Sequence, residues 1–185
     1  MHVRWSALRG MPVTEEQAQE SVAILTDPLI DADSGRILGF FVRMQTGFSS
    51  LPHFLSALDI LSVGTRVHIR SMDVLAPPDE LIRLQQHLAD PRSFLGQKIR
   101  IRQSGRTVGT CRDIQFDTRH FVVEWLFPRG FLFTKQPIAA SDIVEVTEEA
   151  IWVNDPFREE KENIQEERTG AAARVLPDMS PGTIA

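Results

Sequence analysis

The chain has 185 residues, a net charge of −5 and a hydrophobic share of 42%, which suits a globular protein. The negative charge argues against a protein that coats nucleic acid indiscriminately, and the single cysteine, Cys111, excludes an intrachain disulfide framework or a cysteine-rich zinc site. No apolar run approaches the roughly 20 residues that span a bilayer. We therefore expect a soluble protein, and the cysteine usage favours the cytoplasm.

Two apolar runs predict a β-hairpin in the first half of the chain. Residues 22–30 and 37–44 are rich in β-branched and aromatic side chains, and the segment between them contains the turn-forming residues Asp31 and Gly35. Because strands bounded by such residues fold back on each other, we expect an antiparallel pair here.

A short helix is predicted in the middle of the chain. Three leucines recur at helical spacing: Leu81, Leu84 and Leu88. A proline pair precedes them, and Asp79 stands where an N-cap side chain would accept a free backbone N–H. We expect residues 77–92 to form a linker helix.

The second half repeats the first. Residues 108–116 and 121–127 predict another hairpin, and residues 143–146 and 151–153 predict short strands. The matching positions are Asp27 and Asp31 with Asp113 and Asp117, and Asp59-Ile60 with Asp142-Ile143. A repeat of this length predicts two similar units, each mostly β. The predicted organisation is a first domain at 1–76, the linker helix at 77–92, a second domain at 93–155 and a charged, partly disordered tail at 156–185.

These segments resemble the PRC-barrel domains. The resemblance is carried by three stretches: Leu95-Gly-Gln-Lys-Ile99, Val108-Gly-Thr-Cys-Arg-Asp-Ile-Gln-Phe-Asp117, and Ser141-Asp-Ile-Val-Glu-Val followed by Ala150-Ile-Trp-Val153. The family includes domains of a photosynthetic reaction-centre subunit and of a ribosome maturation factor. The resemblance implies two small, strongly curved β-barrels that serve as binding modules without catalytic residues, with protein or ribonucleoprotein partners.

A basic stretch precedes the second hairpin. Lys98, Arg100 and Arg102 alternate with isoleucines, and Arg106 follows them. On a strand this spacing places the three cations on one face and the isoleucines in the core. Such a face suits RNA phosphates, but it also suits a solvated strand whose charges discourage aggregation at a sheet edge.

Aromatic residues cluster around the second hairpin. Strict alternation points Phe121, Val123, Trp125 and Phe127 to one side of the strand, and we expect most of them in the core. Phe131 and Phe133 follow, and Trp152 lies between two aliphatic residues. Those of the aromatic residues that remain exposed, with Trp152 pointing outward, would offer contacts to a protein partner.

No constellation predicts catalysis, a metal or a cofactor. The paired aspartates are best explained as turn caps, and Cys111 lies within an apolar strand, where a core role is expected. We therefore expect a non-enzymatic adaptor that presents its β surfaces to a protein or ribonucleoprotein partner. The alternative is direct RNA contact through the basic strand of the second domain, Lys98, Arg100 and Arg102 with Arg106 after it, as the resemblance to a ribosome maturation factor would allow.

Overall fold

The structure is a computed structural model that describes residues 1–16, 20–45, 52–130 and 136–155. The strands in this part of the chain are β1 (His2–Arg4), β2 (Pro12–Glu15), β3 (Ser21–Ile30), β4 (Ile37–Met44), β5 (His53–Ser56), β6 (Ile60–Val63), β7 (Val67–Ile69), β8 (Leu75–Ala76), β9 (Lys98–Ile101), β10 (Thr107–Asp117), β11 (Val122–Arg129), β12 (Ile138–Ala139), β13 (Ile143–Val146) and β14 (Ala150–Val153). The helices are α1 (Trp5–Leu8) and α2 (Gln85–Leu88), with 3-10 turns at Ala57–Asp59, Met72–Val74, Pro78–Glu80, Ile82–Leu84 and Ala140–Asp142.

Both predicted hairpins are confirmed. Strands β3 and β4 pair antiparallel, as do β10 and β11. The first turn is held by Asp31, whose carboxylate accepts hydrogen bonds from the backbone N–H of Asp33 and the hydroxyl of Ser34. This is the turn-capping role expected of an aspartate at the end of a strand.

The two halves use the same strand order. The first curled sheet runs β6-β7-β2-β3-β4-β5-β8, and the second runs β12-β11-β10-β9-β14-β13. In each, the strand before the hairpin pairs in parallel with a strand that follows the hairpin later in that half, β2 with β7 and β9 with β14. The sequence repeat is thus matched by a repeated topology, and the fold is mostly β.

The N-terminus crosses between the two halves. Strand β1 pairs with β10 of the second sheet, although we expected residues 1–76 to form the first domain. Ser6 continues this contact, because its backbone N–H and its hydroxyl both donate to the Asp113 carboxylate, at 3.0 and 2.5 Å. Residues Met1–Asn154 form one compact unit that contains both sheets. The predicted tail, residues 156–185, lies outside the described residues.

The connecting segment differs from the predicted linker helix. Residues 78–88 form two 3-10 turns and the single α-turn α2, because Leu81 has ψ 73°, which is not helical. The predicted N-cap at Asp79 is not formed, since α2 begins after Leu84 and no side chain caps it. The apolar periodicity is therefore divided over three short pieces.

An aromatic cluster joins the two sheets. The rings of Trp5 and Phe40 stack with their centroids 5.7 Å apart, and Phe40 lies 6.2 Å from Phe116 and 6.1 Å from Phe121. All four side chains are buried. We call Trp5, Phe40, Phe116 and Phe121 the shared aromatic core.

Backbone hydrogen bonds join the two hairpin turns. The N–H of Ile37 donates to the carbonyl of Phe121 at 2.7 Å, and the N–H of Val123 donates to the carbonyl of Gly35 at 3.0 Å. Gly35 and Phe121 occupy matching places in the two turns, with φ of 67° and 52°. This left-handed conformation is easy for glycine but strained for phenylalanine. Burial of the Phe121 ring in the shared aromatic core offsets that strain.

The alternation predicted for the aromatic strand is broken at Trp125. Gln115 pairs with Trp125 and the next residue, Phe116, pairs with Val123, so β11 carries one extra residue at a β-bulge. Beyond the bulge the faces exchange: Leu126 is buried and Trp125 is 41% exposed. The expectation that Trp125 lies in the core with Val123 is therefore wrong.

An ion-pair cluster ties the connecting segment to the first hairpin. The Arg92 guanidinium donates to Asp33 in the β3–β4 turn and to Asp90 beside it. These hydrogen bonds lower the pKa of both carboxyls below the ordinary value of 3.8.

We expect Phe40→Ala to destabilise both halves together. Removing a buried phenylalanine costs about 3–5 kcal/mol, and here the cavity would open between the sheets. Urea unfolding followed by tryptophan fluorescence and by far-UV circular dichroism should give coincident, lowered midpoints. Leu58→Ala, at a side chain that is 93% exposed, is the control and should change stability by less than about 0.5 kcal/mol. Two separated transitions in Phe40→Ala would show that the halves fold independently.

The Arg92 cluster predicts a pH-dependent loss of stability. A carboxyl whose pKa is lowered by folding stabilises the folded state at any pH above its ordinary pKa. That contribution disappears as the pH falls through the lowered pKa of the folded state. Arg92→Met should therefore lower the urea midpoint near pH 7, and the loss should become smaller as pH falls below 3.8. Arg112→Met, at an exposed arginine on β10, is the matched control. A loss that stays the same as pH falls would mean that Arg92 acts through packing.

Candidate functional site

A groove of about 1100 Å³ opens where the first sheet, the connecting segment and the turn of the second hairpin meet. We call it the apolar groove. It is lined chiefly by four stretches of chain: residues 36–38, 56–61, 80–84 and 118–121. Because these stretches come from both halves, the groove is a product of the shared core and not of either sheet alone.

Aliphatic side chains at the groove are exposed to solvent. Leu58 is 93% exposed, Ile82 is 84% exposed and Leu61 is 46% exposed. Leu58 projects from the 3-10 turn Ala57–Asp59, which is fixed because the N–H of Leu58 donates to the hydroxyl of Ser56 at 3.2 Å. Exposed apolar residues are ordinary when scattered, but several around one concavity are typical of an interaction surface.

The floor of the apolar groove is formed by core residues. Ile37, Phe54 and Phe121 line it and are also buried core residues. Phe54 packs edge-on against Phe41 of the neighbouring strand, with ring centroids 5.6 Å apart. A partner would therefore meet a preformed surface, which reduces the entropy lost on binding.

Charged side chains surround the apolar floor. Arg36, Arg83 and Arg119 are exposed on three different stretches, and Asp59 and Glu80 are the carboxylates among the described lining residues. His120 also lines the groove, with its Nδ1 2.6 Å from an oxygen of Asp117. The pKa of Asp117 is lowered, chiefly by the hydrogen bond from the Met1 amino group and to a smaller extent by hydrogen bonds from Arg119 and His120.

The basic strand has the predicted orientation. Ile99 and Ile101 are buried, Lys98 is exposed and Arg100 is half-buried. Strand β9 ends at Ile101, so Arg102 begins the following turn instead of extending the strand. Arg106, in the same connection, is exposed.

Arg100 and Trp152 are brought together by the parallel pairing of β9 and β14. The two residues are register partners, and the Arg100 guanidinium carbon lies 5.8 Å from the centroid of the Trp152 ring. The Nε atom of Arg100 is buried without a hydrogen-bond partner. Trp152 is half-buried, and Phe131 and Phe133 lie outside the described residues.

Carboxylates flank the basic strand. Glu145 is the register partner of Trp152, and Glu148 and Glu149 lie in the turn that leads into β14, where Ala150 pairs with Lys98. All three glutamates are exposed. The positively charged surface is therefore confined to the basic strand, and glutamates lie on the β14 side of it.

The remaining reactive side chains have structural roles. Cys111 is buried, and burial raises the pKa of its thiol to about 12, so the core role expected for it fits the structure. Asp113 accepts hydrogen bonds from Ser6, and neither it nor Asp27 lines the apolar groove. Among the described residues, no group of three or more His, Cys, Asp or Glu side chains is placed to hold a metal ion.

Sequence reasoning missed the apolar groove, although one signal was present. Leu81 and Leu84 define the apolar face of the connecting segment, and Ile82 does not lie on that face. An isoleucine outside the apolar face is a candidate exposed side chain. Leu58 gave no such signal, because its exposure depends on the 3-10 turn.

In the described part of the chain, no helix has both the length and the apolar character that crossing a membrane requires.

Comparison with known proteins gives no match to this chain, either to a family model or to a curated protein sequence. The geometry of the apolar groove and of the basic strand therefore carries the functional inference.

Proposed function

We propose that this chain is a non-enzymatic adaptor that binds a partner protein through the apolar groove. The observation that carries the proposal is the exposure of Leu58 and Ile82, which lie on separate stretches of chain and line the same groove. Covering such side chains releases about 25 cal/mol per Å² of apolar surface. A few well-packed side chains near the centre of an interface usually supply most of its binding energy.

The fold supports a binding role in a second way. The strand order is the same in both halves, which is consistent with tandem PRC-barrel-like units. The resemblance to that family implies binding modules without catalytic residues. We assign no catalytic residue and no cofactor, and we propose a cytoplasmic location.

RNA binding through the basic strand is the second candidate. It is favoured by Lys98, Arg102 and Arg106, whose side chains are exposed and make no ion pair within the described residues. The flanking glutamates weaken it, since phosphate binding depends on local positive potential. Stacking on Arg100 also covers part of the Trp152 ring, which an RNA base would otherwise use.

The two candidates predict different outcomes in an affinity capture from source-cell lysate, with and without RNase. For the adaptor, Leu58→Asp should remove the bound protein in both samples, because burying an unpaired ionised carboxylate against an apolar partner costs several kcal/mol. Ser62→Asp, at a nearby exposed position outside the groove, should retain it.

The triple variant Lys98→Glu, Arg102→Glu, Arg106→Glu separates the candidates further. It should leave the adaptor's partner in place, whereas RNA binding predicts that the captured material disappears with this variant and with RNase. Circular dichroism of each variant checks that it is folded. Full retention of all partners by Leu58→Asp would contradict the adaptor proposal.

A further inference from the structure

The charges around the apolar groove differ in sign from the chain as a whole. The chain carries a net charge of −5, yet the described groove lining holds Arg36, Arg83 and Arg119 against the two carboxylates of Asp59 and Glu80. The three arginines come from the residue just before β4, from a 3-10 turn and from the β10–β11 turn. The fold therefore collects distant cations around one apolar surface.

These arginines are available to a partner. All three are exposed, and their guanidinium groups make no hydrogen bond or ion pair within the described residues. This contrasts with Arg92, which is held by two aspartates. Because a guanidinium can bind a carboxylate through two parallel hydrogen bonds, free arginines at a rim suit an acidic ligand.

The apolar side chains indicate a protein ligand and not a nucleic acid. Single-stranded nucleic acids are bound by cations interleaved with exposed aromatic rings, on which the bases stack. The exposed apolar residues here are Leu58, Leu61 and Ile82, which are aliphatic, whereas the aromatic Phe121 is buried in the floor. Aliphatic anchors beside arginines match a peptide that carries both apolar and acidic side chains.

Exposure and symmetry disfavour two other occupants. Small-molecule sites bury about 70–90% or more of their ligand, whereas Leu58 and Ile82 are 93% and 84% exposed and would not enclose one. In a symmetric dimer the same patch meets itself, so docking groove to groove would bring together two rims that each carry three arginines against two carboxylates and therefore have net charges of the same sign. That arrangement would be repulsive.

We propose that the apolar groove binds an acidic amphipathic segment of a partner protein, with its apolar side chains against Leu58 and Ile82 and its carboxylates against Arg83, Arg119 and Arg36. This inference rests on the proposed adaptor function and adds the chemistry of the partner. The aliphatic contacts supply most of the affinity. The arginines select the sign of the partner's charge, as rim charges do at other interfaces.

The test uses three fluorescein-labelled peptides and the full-length chain. The first peptide carries leucines at helical spacing with glutamates between them, and in the other two the glutamates are replaced by glutamine or by lysine. Fluorescence anisotropy should give a Kd for the glutamate peptide about tenfold below that of the glutamine peptide. The lysine peptide should bind weakest, and added salt should reduce the differences.

Charge reversal at the rim provides the decisive variant. The double variant Arg83→Glu, Arg119→Glu should invert the order, so that the lysine peptide binds more tightly than the glutamate peptide. The matched control is Arg70→Glu, Arg112→Glu, which has the same change in net charge at exposed arginines outside the groove. It should keep the order found for the unmodified chain.

The remaining outcomes separate this inference from the adaptor function. Equal binding of all three peptides, abolished by Leu58→Asp, would overturn the acidic preference and leave the adaptor function standing. If the Leu58→Asp variant binds the glutamate peptide with the same Kd as the unmodified chain, the site lies elsewhere, and this result would count against both proposals. If no peptide binds, or if sedimentation shows a dimer that Leu58→Asp dissociates, the acidic partner is wrong.

Discussion

Burial of four aromatic rings between the two sheets is the interaction on which the rest of this structure depends. Trp5, Phe40, Phe116 and Phe121 come from α1, β4, β10 and the second hairpin turn, so no single half contains the whole cluster. Units of about 70 residues bury little apolar surface alone, and a shared core reduces that deficit. The hydrogen bonds between the two hairpin turns then fix the register at which the halves meet.

The apolar groove is a consequence of this junction. At the junction the N–H of Ile37 donates to the carbonyl of Phe121, and both residues also line the floor of the groove. Its walls come from residues 56–61 and 80–84, which contribute exposed aliphatic side chains and Arg83. A floor of buried core residues with exposed anchors suits binding without large rearrangement. Burial of the Phe121 ring in the shared aromatic core offsets its backbone strain, and the same residue lines the groove.

The basic strand shows how pairing between distant segments modifies a charge pattern. In sequence, no acidic residue interrupts the stretch from Arg92 to Arg112. In the sheet, β14 pairs with β9 and brings the turn that carries Glu149 beside it, β13 carries Glu145 one strand further away, and Trp152 is partly covered by Arg100. The potential at a surface depends on all charges within about a Debye length, roughly 8–10 Å, so a run of cations overstates the positive field of its strand.

The sequence by itself determined the hairpins, the repeat and the alternation of Ile99 and Ile101 with cations, because period-two hydrophobicity and turn residues act over a few neighbours. It did not determine the phase of β11 at Trp125, since a β-bulge depends on the partner strand. It also failed for the linker, where Leu81 interrupts the helix. The exposure of Leu58 and the convergence of three arginines were decided by tertiary structure, because contacts between residues far apart in the chain leave no periodic trace in it.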